Sequence, residues 1–284
     1  MDLDDRNYLQ LLDAEEVRRK IEAFELLDFS VESEERIKSA ILDIFCVEKK
    51  GKYFFTLSVY LISYLPNECL YRVRKADSFS KGRPMCESDF WGNPSAPQNR
   101  FNREGETTLY VSRKVSTAIQ ETKVAKNDCF ILVEYSNISP LELCPTEISN
   151  RYGDDAIDNE ALSLLNNFIN NLARVRISEG EQHKYKATRA LADVINMLPE
   201  KIEATRDGMI YISAYTGEME NIVLKSTAIS KLKINNIWLA CLNDDGAVIF
   251  LKQIFIEQGN VRIDNVQPTS LRHIGETTKF VKGD

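Results

Sequence analysis

The sequence predicts an α+β protein, and three observations carry that prediction. Amphipathic helical periods occur near the N-terminus and again across residues 159–198. Alternating or continuously apolar strand-like runs occur near residues 70, 110, 130 and 210, and through the tail. No regular strand–helix–strand repetition accompanies them, so a parallel βαβ sheet is not indicated.

The elements follow in order. Residues 11–28 place Ala14, Val17, Ile21, Phe24 and Leu27 at helical spacing, with charges between. Ser33 is a good N-cap before Glu34 and Glu35, and opens a second helix with Ile37, Ile41 and Ile44 on one face. Lys49-Lys50-Gly51-Lys52 reads as a turn. Residues 53–65 fit both periods: Phe55, Leu57, Val59 and Leu61 alternate, while Phe54, Leu57, Leu61 and Leu65 share a helical face. The length of the run favours helix, ended by Pro66. Leu70 to Arg74 alternates as a strand. Residues 76–107 are rich in Gly, Pro, Ser and Asn, and read as a long polar loop. Leu109–Ser112 is a short strand, Val115–Lys123 a short helix and Cys129–Tyr135 an apolar strand. Helices are expected over 159–178, with Leu165, Phe168, Leu172 and Val175 in one stripe, and over 183–198, closed by Pro199. Strands are expected near 208–213, 221–225, 237–242, 247–256 and 260–265. The domain reading is a helical extension (1–66), a core (67–230) and a β-rich C-terminal extension (231–284) packed on that core.

The 284 residues carry 36 Lys and Arg against 43 Asp and Glu, a net charge of −7. That balance argues against non-specific nucleic-acid binding and against a polybasic membrane anchor. The opening Met1-Asp2-Leu3-Asp4-Asp5 lacks the basic and apolar regions of a signal peptide, and no run approaches 18 apolar residues. The expectation is a cytoplasmic protein. Six scattered cysteines contain no C-x-x-C pair, and there are two histidines, so a zinc site has no support. The cysteines are expected to be free thiols in a reducing compartment.

Common catalytic signatures are missing: G-x-x-x-x-G-K-[ST], G-x-G-x-x-G after a strand, H-E-x-x-H and G-x-S-x-G. The chemistry must rest on Arg, Glu, Ser, Tyr and Asn. Three segments combine those types. The first is Leu70-Tyr71-Arg72-Val73-Arg74. The second runs from Arg100-Phe101-Asn102-x-x-Gly105 through Leu109-Tyr110-Val111-Ser112 to Thr117-Ala118-Ile119-Gln120-Glu121. The third is Asp207-Gly208-Met209-Ile210-Tyr211-Ile212-Ser213, followed by Asn221-Ile222-Val223-Leu224.

In this ordered set, over residues 69–225, the sequence resembles the RES family. The Tyr185-x-x-Thr188 helix start also fits the family pattern. Arg72 matches the family arginine, Glu121 the glutamate and Ser213 the serine. Arg100 matches the loop arginine and Tyr110 the tyrosine of the strand before the helix. Asn99 departs from a frequent glycine, although asparagine tolerates positive φ. The resemblance does not account for the N-terminal helices or the tail.

The resemblance implies a mixed-sheet core similar to ADP-ribosyltransferase toxins, and an activity that consumes NAD as substrate without a metal. It implies Arg72, Glu121 and Ser213 as catalytic residues, and Tyr71, Arg100, Asn102, Tyr110, Ser112 and Tyr211 as NAD-binding residues. Cleaving the nicotinamide–ribose bond passes through an oxocarbenium-like transition state, which a nearby carboxylate stabilises. Arginine suits a pyrophosphate because its planar fork makes paired charge-assisted bonds. Taken singly, each residue has a plain reading: Arg72 or Arg74 as an edge-strand ion pair, Glu121 as a solvated helix residue, Ser213 as a strand serine. The alternatives to an NAD-degrading toxin or defence enzyme are a protein ADP-ribosyltransferase and an inactive NAD-binding module. A cognate antitoxin is a partner implied by the resemblance, and the helices over 11–28 and 33–46 leave a homo-oligomer open. Between residues 70 and 114, nine basic side chains face five acidic ones, a locally cationic stretch in an acidic chain.

Overall fold

The computed structural model describes residues 12–49, 51–56, 61–79, 85–92, 98–146, 160–175, 181–197, 206–265 and 280–282. They form two compact units built from interleaved stretches of chain. The first unit takes residues 1–61, 97–104 and 144–206; the second takes 62–96, 105–143 and 207–284. No helix among the described residues is long and apolar enough to cross a membrane.

The first unit is mainly helical. Helix α1 (Ala14–Glu25) buries Val17 and Phe24, and Asp13 caps it by accepting the Glu15 backbone N–H. Helix α2 (Glu34–Ile44) begins where the sequence places it, at Ser33, whose hydroxyl accepts the Arg36 N–H at 3.2 Å. Its Ile37, Ile41 and Ile44 are buried. A hairpin follows, β1 (Cys46–Lys49) against β2 (Lys52–Phe55), with Gly51 at φ +71° in the turn. Positive φ is the conformation that glycine adopts without a Cβ clash. Phe24, Phe45 and Phe168 form an aromatic chain with centroid separations of 5.1 and 6.1 Å.

The second unit is built on a mixed sheet of eleven strands among the described residues. In chain order they are β3 (Ile62–Tyr64), β4 (Cys69–Lys75), β5 (Thr108–Ser112), β6 (Cys129–Asn137), β7 (Leu141–Pro145), β8 (Gly208–Ile212), β9 (Met219–Lys225), β10 (Leu232–Leu242), β11 (Val248–Glu257), β12 (Asn260–Asn265) and β13 (Phe280–Lys282). Their spatial order is β12-β11-β10-β6-β4-β5-β9-β8-β7-β3, and β13 joins β11 in parallel. Helix α3 (Val115–Glu121) follows β5. Helices α4 (Glu160–Ala173) and α5 (Tyr185–Met197) belong to the first unit, and the short α6 (Ser226–Ile229) to the second. The α+β class of the sequence reading is what the chain adopts.

The sheet has an apolar layer on each face. Leu70, Leu109, Val111, Ile131, Val133, Ile222 and Leu224 share one cluster. Tyr71, Val73, Phe130, Leu132 and Trp238 share the other, together with Val115, Ala118 and Ile119 of α3. Strand period 2 produces this division, since successive side chains leave opposite faces. Strands β4 and β5 are joined by a single residue pair, Tyr71–Ser112, among the described residues. Beyond it, the Thr122 hydroxyl donates to the Val73 carbonyl at 3.1 Å.

Three expectations are corrected. The 53–65 segment is not one helix: Lys52–Phe55 is strand β2, Ile62–Tyr64 is β3 paired with β7, and residues 57–60 lie outside the described residues. Both periods matched the run; a local hairpin with β1 decides its start, and pairing with β7, distant in sequence, decides its end. The polar segment over 76–107 contains two 3₁₀ turns, Ala76–Phe79 and Glu87–Phe90. Not all cysteines are free, because Cys129 and Cys241 face each other across β6 and β10, with Cα atoms 4.1 Å apart, and form a disulfide. Register, not sequence spacing, brings that pair together. Pro199, the expected end of the 183–198 helix, lies outside the described residues.

Candidate functional site

Helix α3 carries Glu121 as its last residue. Thr117 and Glu121 are four apart and share a helix face. Thr117 gives its hydroxyl to the buried Glu220, while Glu121 reaches Asn221, the next residue along β9. The helix is closed by Thr122, whose hydroxyl reaches the Ala118 carbonyl at 2.8 Å. Half-buried Glu121 thus projects from a helix end anchored to both β4 and β9.

Ser213 directly follows β8, in the tight turn before β9. Its backbone N–H bonds to Glu218 O, and Gly217, at φ +76°, returns its N–H to Ser213 O. The side-chain oxygen accepts the backbone N–H groups of Tyr215 and Thr216 at 3.1 and 3.2 Å. Its one proton goes to Glu121 Oε1 at 2.8 Å. Asn221 Nδ2 donates to the same oxygen at 2.7 Å. Ser112, 4% exposed, donates to Asn221 Oδ1 at 2.6 Å. Glu121 Oε2 accepts nothing among the described residues.

Register explains why these groups meet. Asn236, Glu134, Tyr71, Ser112, Asn221 and Tyr211 are successive cross-strand partners over β10, β6, β4, β5, β9 and β8. Directly paired residues point to one face, so the polar row lies on the face that α3 covers. Tyr110, two residues before Ser112, shares that face and is half-buried. Toward β10 the row is a second polar group. Buried Glu134 accepts from Asn236 Nδ2 at 2.7 Å and from Cys69 Sγ at 3.4 Å. Burial, then the Glu134 charge, pushes the Cys69 thiol up to about 11. Burial likewise raises the Tyr71 phenol, with Cys69 and Glu134 adding to it.

Arg72 is placed differently. The pleat sends it to the face opposite Tyr71, where Nη1 donates to the Trp91 carbonyl at 2.7 Å and lies 3.5 Å from that of Phe90. Arg74 Nη1 donates to Asp89 O at 2.9 Å. The two arginines thereby hold the 87–91 segment, and no hydrogen bond joins Arg72 to Glu121 or Ser213 among the described residues. Gly92 continues the segment so close to β5 that a Cβ would lie 2.6 Å from Thr108 O. Arg100 and Asn102 lie in the first unit. Asn102 is 1% exposed and gives its amide to Arg103 O at 2.9 Å, while Arg100 Nη2 reaches Val175 O at 3.4 Å.

The Asp207-Gly208 pair also has a structural account. Asp207 Oδ2 accepts the Glu142 N–H and the Lys231 ammonium, both at 2.8 Å. A Cβ on Gly208 would lie 2.1 Å from Val223 O, so glycine is required where β8 meets β9. The structure thus assembles Glu121, Ser213, Ser112 and Asn221 by direct contact, with Tyr71 and Tyr211 beside them in register. Asn221, Glu134 and Asn236 were not among the expected site residues. Asn221 stands in the Asn-x-x-Leu element, and that was the available signal; Glu134 and Asn236 left none, since only register shows them.

A mixed sheet carrying an anchored carboxylate among neutral donors defines an α+β protein with a glutamate-centred site. The family model for the RES domain matches residues 70–238, from β4 into β10 and through Arg72, Glu121 and Ser213. The chain belongs to the RES domain family, a membership consistent with an NAD-related function. Comparison with curated proteins gives no match, and comparison with solved structures gives none either.

Proposed function

We propose that the protein cleaves the nicotinamide–ribose bond of NAD, by hydrolysis or phosphorolysis, with Glu121 as the catalytic carboxylate. The observation that carries this reading is the state of Glu121. Two neutral donors hold Oε1 and leave the charge uncancelled, and Oε2 has no protein donor among the described residues. Such an oxygen accepts a ribose hydroxyl, and the retained charge stabilises positive charge developing at C1 of the ribose. The C1–N bond breaks with its electron pair passing to the pyridinium nitrogen, so nicotinamide leaves neutral and needs no acid. An oxygen of water or phosphate then bonds to C1, and attacking water gives up its proton to bulk solvent.

Ser213 orients the carboxylate in this reading. Half-buried Tyr110 presents a ring on the same face, suited to stacking on a base. The gap beyond the Tyr71–Ser112 pair, where β4 and β5 part, is the proposed entry. Arg72, half-buried in mid-β4 on the face opposite Tyr71, is proposed to meet the pyrophosphate at that gap. Family membership and the α+β core support a likeness to ADP-ribosyltransferase toxins, and growth arrest on expression is the expected cellular outcome.

The test mixes purified protein with NAD and follows nicotinamide release, with and without phosphate. Release by wild type and its loss in Glu121→Gln support the reading. No release beyond that of the variant overturns it. Labelled NAD in a cell lysate separates the acceptors: a discrete labelled protein band means transfer to a side chain, and free ADP-ribose means water.

A further inference from the structure

We infer that Asn221 and Ser112 form a positioning relay that fixes which oxygen of Glu121 is held and which is presented to the ligand. This rests on the reading of Glu121 given above, and assigns Ser112 to orientation in place of direct NAD contact. The direction of every proton in the relay follows from elementary donor and acceptor rules. An ionised carboxylate only accepts, so the Asn221 group facing Glu121 is the amide NH₂. The Asn221 carbonyl oxygen then faces Ser112, whose hydroxyl must donate, as the 2.6 Å contact allows. Ser213 has its oxygen occupied by two turn amides and also spends its proton on Oε1. Without Ser112, the Asn221 carbonyl loses the donor that pins the amide, and Nδ2 is free to swing away from Oε1. Asn221 is 1% exposed, so water does not readily replace the missing partner.

The decisive comparison is Asn221→Ala against Asn221→Asp, with kcat and KM for NAD measured on protein whose folding is checked by thermal melting. A residue kept for shape tolerates the isosteric aspartate better than alanine. A residue kept to donate to Glu121 does the reverse, because aspartate cannot donate and sets a second negative charge against Oε1. The expected result is a kcat loss of about tenfold for alanine and about a hundredfold for aspartate, with KM changing less. Aspartate retaining as much turnover as alanine overturns the relay. If neither variant folds, Ser112→Ala and Ser112→Thr decide. Threonine keeps the hydroxyl and is expected to recover most of the alanine loss; equal losses overturn the relay.

A second readout needs no turnover. In nitrogen-labelled protein without NAD, the Asn221 side-chain amide resonance is expected to move in both Glu121→Gln and Ser112→Ala. A resonance unmoved in both overturns the relay. A resonance moved in both variants of a protein whose wild type releases no nicotinamide supports the relay and overturns only the NAD reading.

Discussion

Glu34 and Glu121 are each half-buried glutamates at a helix end, one in each unit, and their surroundings differ in kind. Glu34 opens α2, where the helix dipole favours an anion. Arg189 holds its Oε1 and Arg103 its Oε2, with Arg103 also pairing with Asp193 at 2.7 Å. Burial by itself raises the Glu34 carboxyl; the two guanidiniums outweigh it and hold the group below the usual carboxylate range. Glu121 ends α3, where the dipole disfavours an anion, and among the described residues meets only the uncharged Ser213 and Asn221, both on one oxygen. The first carboxylate is saturated and neutralised; the second is oriented and left charged. Saturation serves cohesion, whereas an oriented but unspent charge is what a ligand uses.

The largest expected effect tests the unspent charge. Glu121→Gln should lower nicotinamide release by about 100- to 1000-fold, as for loss of one preorganised electrostatic contact, with little change in melting temperature. A comparable loss in Glu34→Gln would erase the contrast. Next, Glu34→Ala should cost about 2–3 kcal/mol in urea unfolding, since it leaves Arg189, 5% exposed, without its partner. The same carboxylate sets a pH dependence. Its folded pKa is depressed, so its stability is fully present above the ordinary 4.5 and is lost as pH falls through the lower folded value. The stability gap between wild type and Glu34→Gln should therefore be constant above about pH 4.5 and narrow below it. The smallest effect sharpens the contrast by removing a neutral contact from the same helix end. Ser33→Ala should cost about 1 kcal/mol by thermal melting, less than either change at Glu34.

Much of the architecture was legible because local signals agreed. The Ser33 cap, the isoleucine stripe behind it and the apolar run from Cys129 each specify an element without tertiary help. The 53–65 segment misled because its apolar residues satisfied two periods at once, and only hairpin and edge pairing separate them. Strand β7 was invisible: Leu141-Glu142-Leu143-Cys144-Pro145 is short, follows Pro140 and ends in another proline. In the site, the ordered residue types located Glu121 and Ser213. The pleat, which is also local, already requires Tyr71 and Arg72 to leave opposite faces of β4. What no local rule supplies is register. It makes Ser112 and Asn221 neighbours, and it joins Cys129 to Cys241.

The Tyr71–Ser112 pair, the single one between β4 and β5 among the described residues, has a mechanical consequence. The sheet is continuous on paper, but its hydrogen-bond ladder is almost interrupted between β4 and β5. On one side stand β4, β6, β10 and β11, stapled by the Cys129–Cys241 disulfide. On the other stand β5, β9 and β8, which carry Ser112, Asn221 and the turn of Ser213. Flexing is therefore concentrated at one seam instead of spread along the strands. The two flanks should exchange their amide hydrogens as separate blocks, with the seam as the boundary between them.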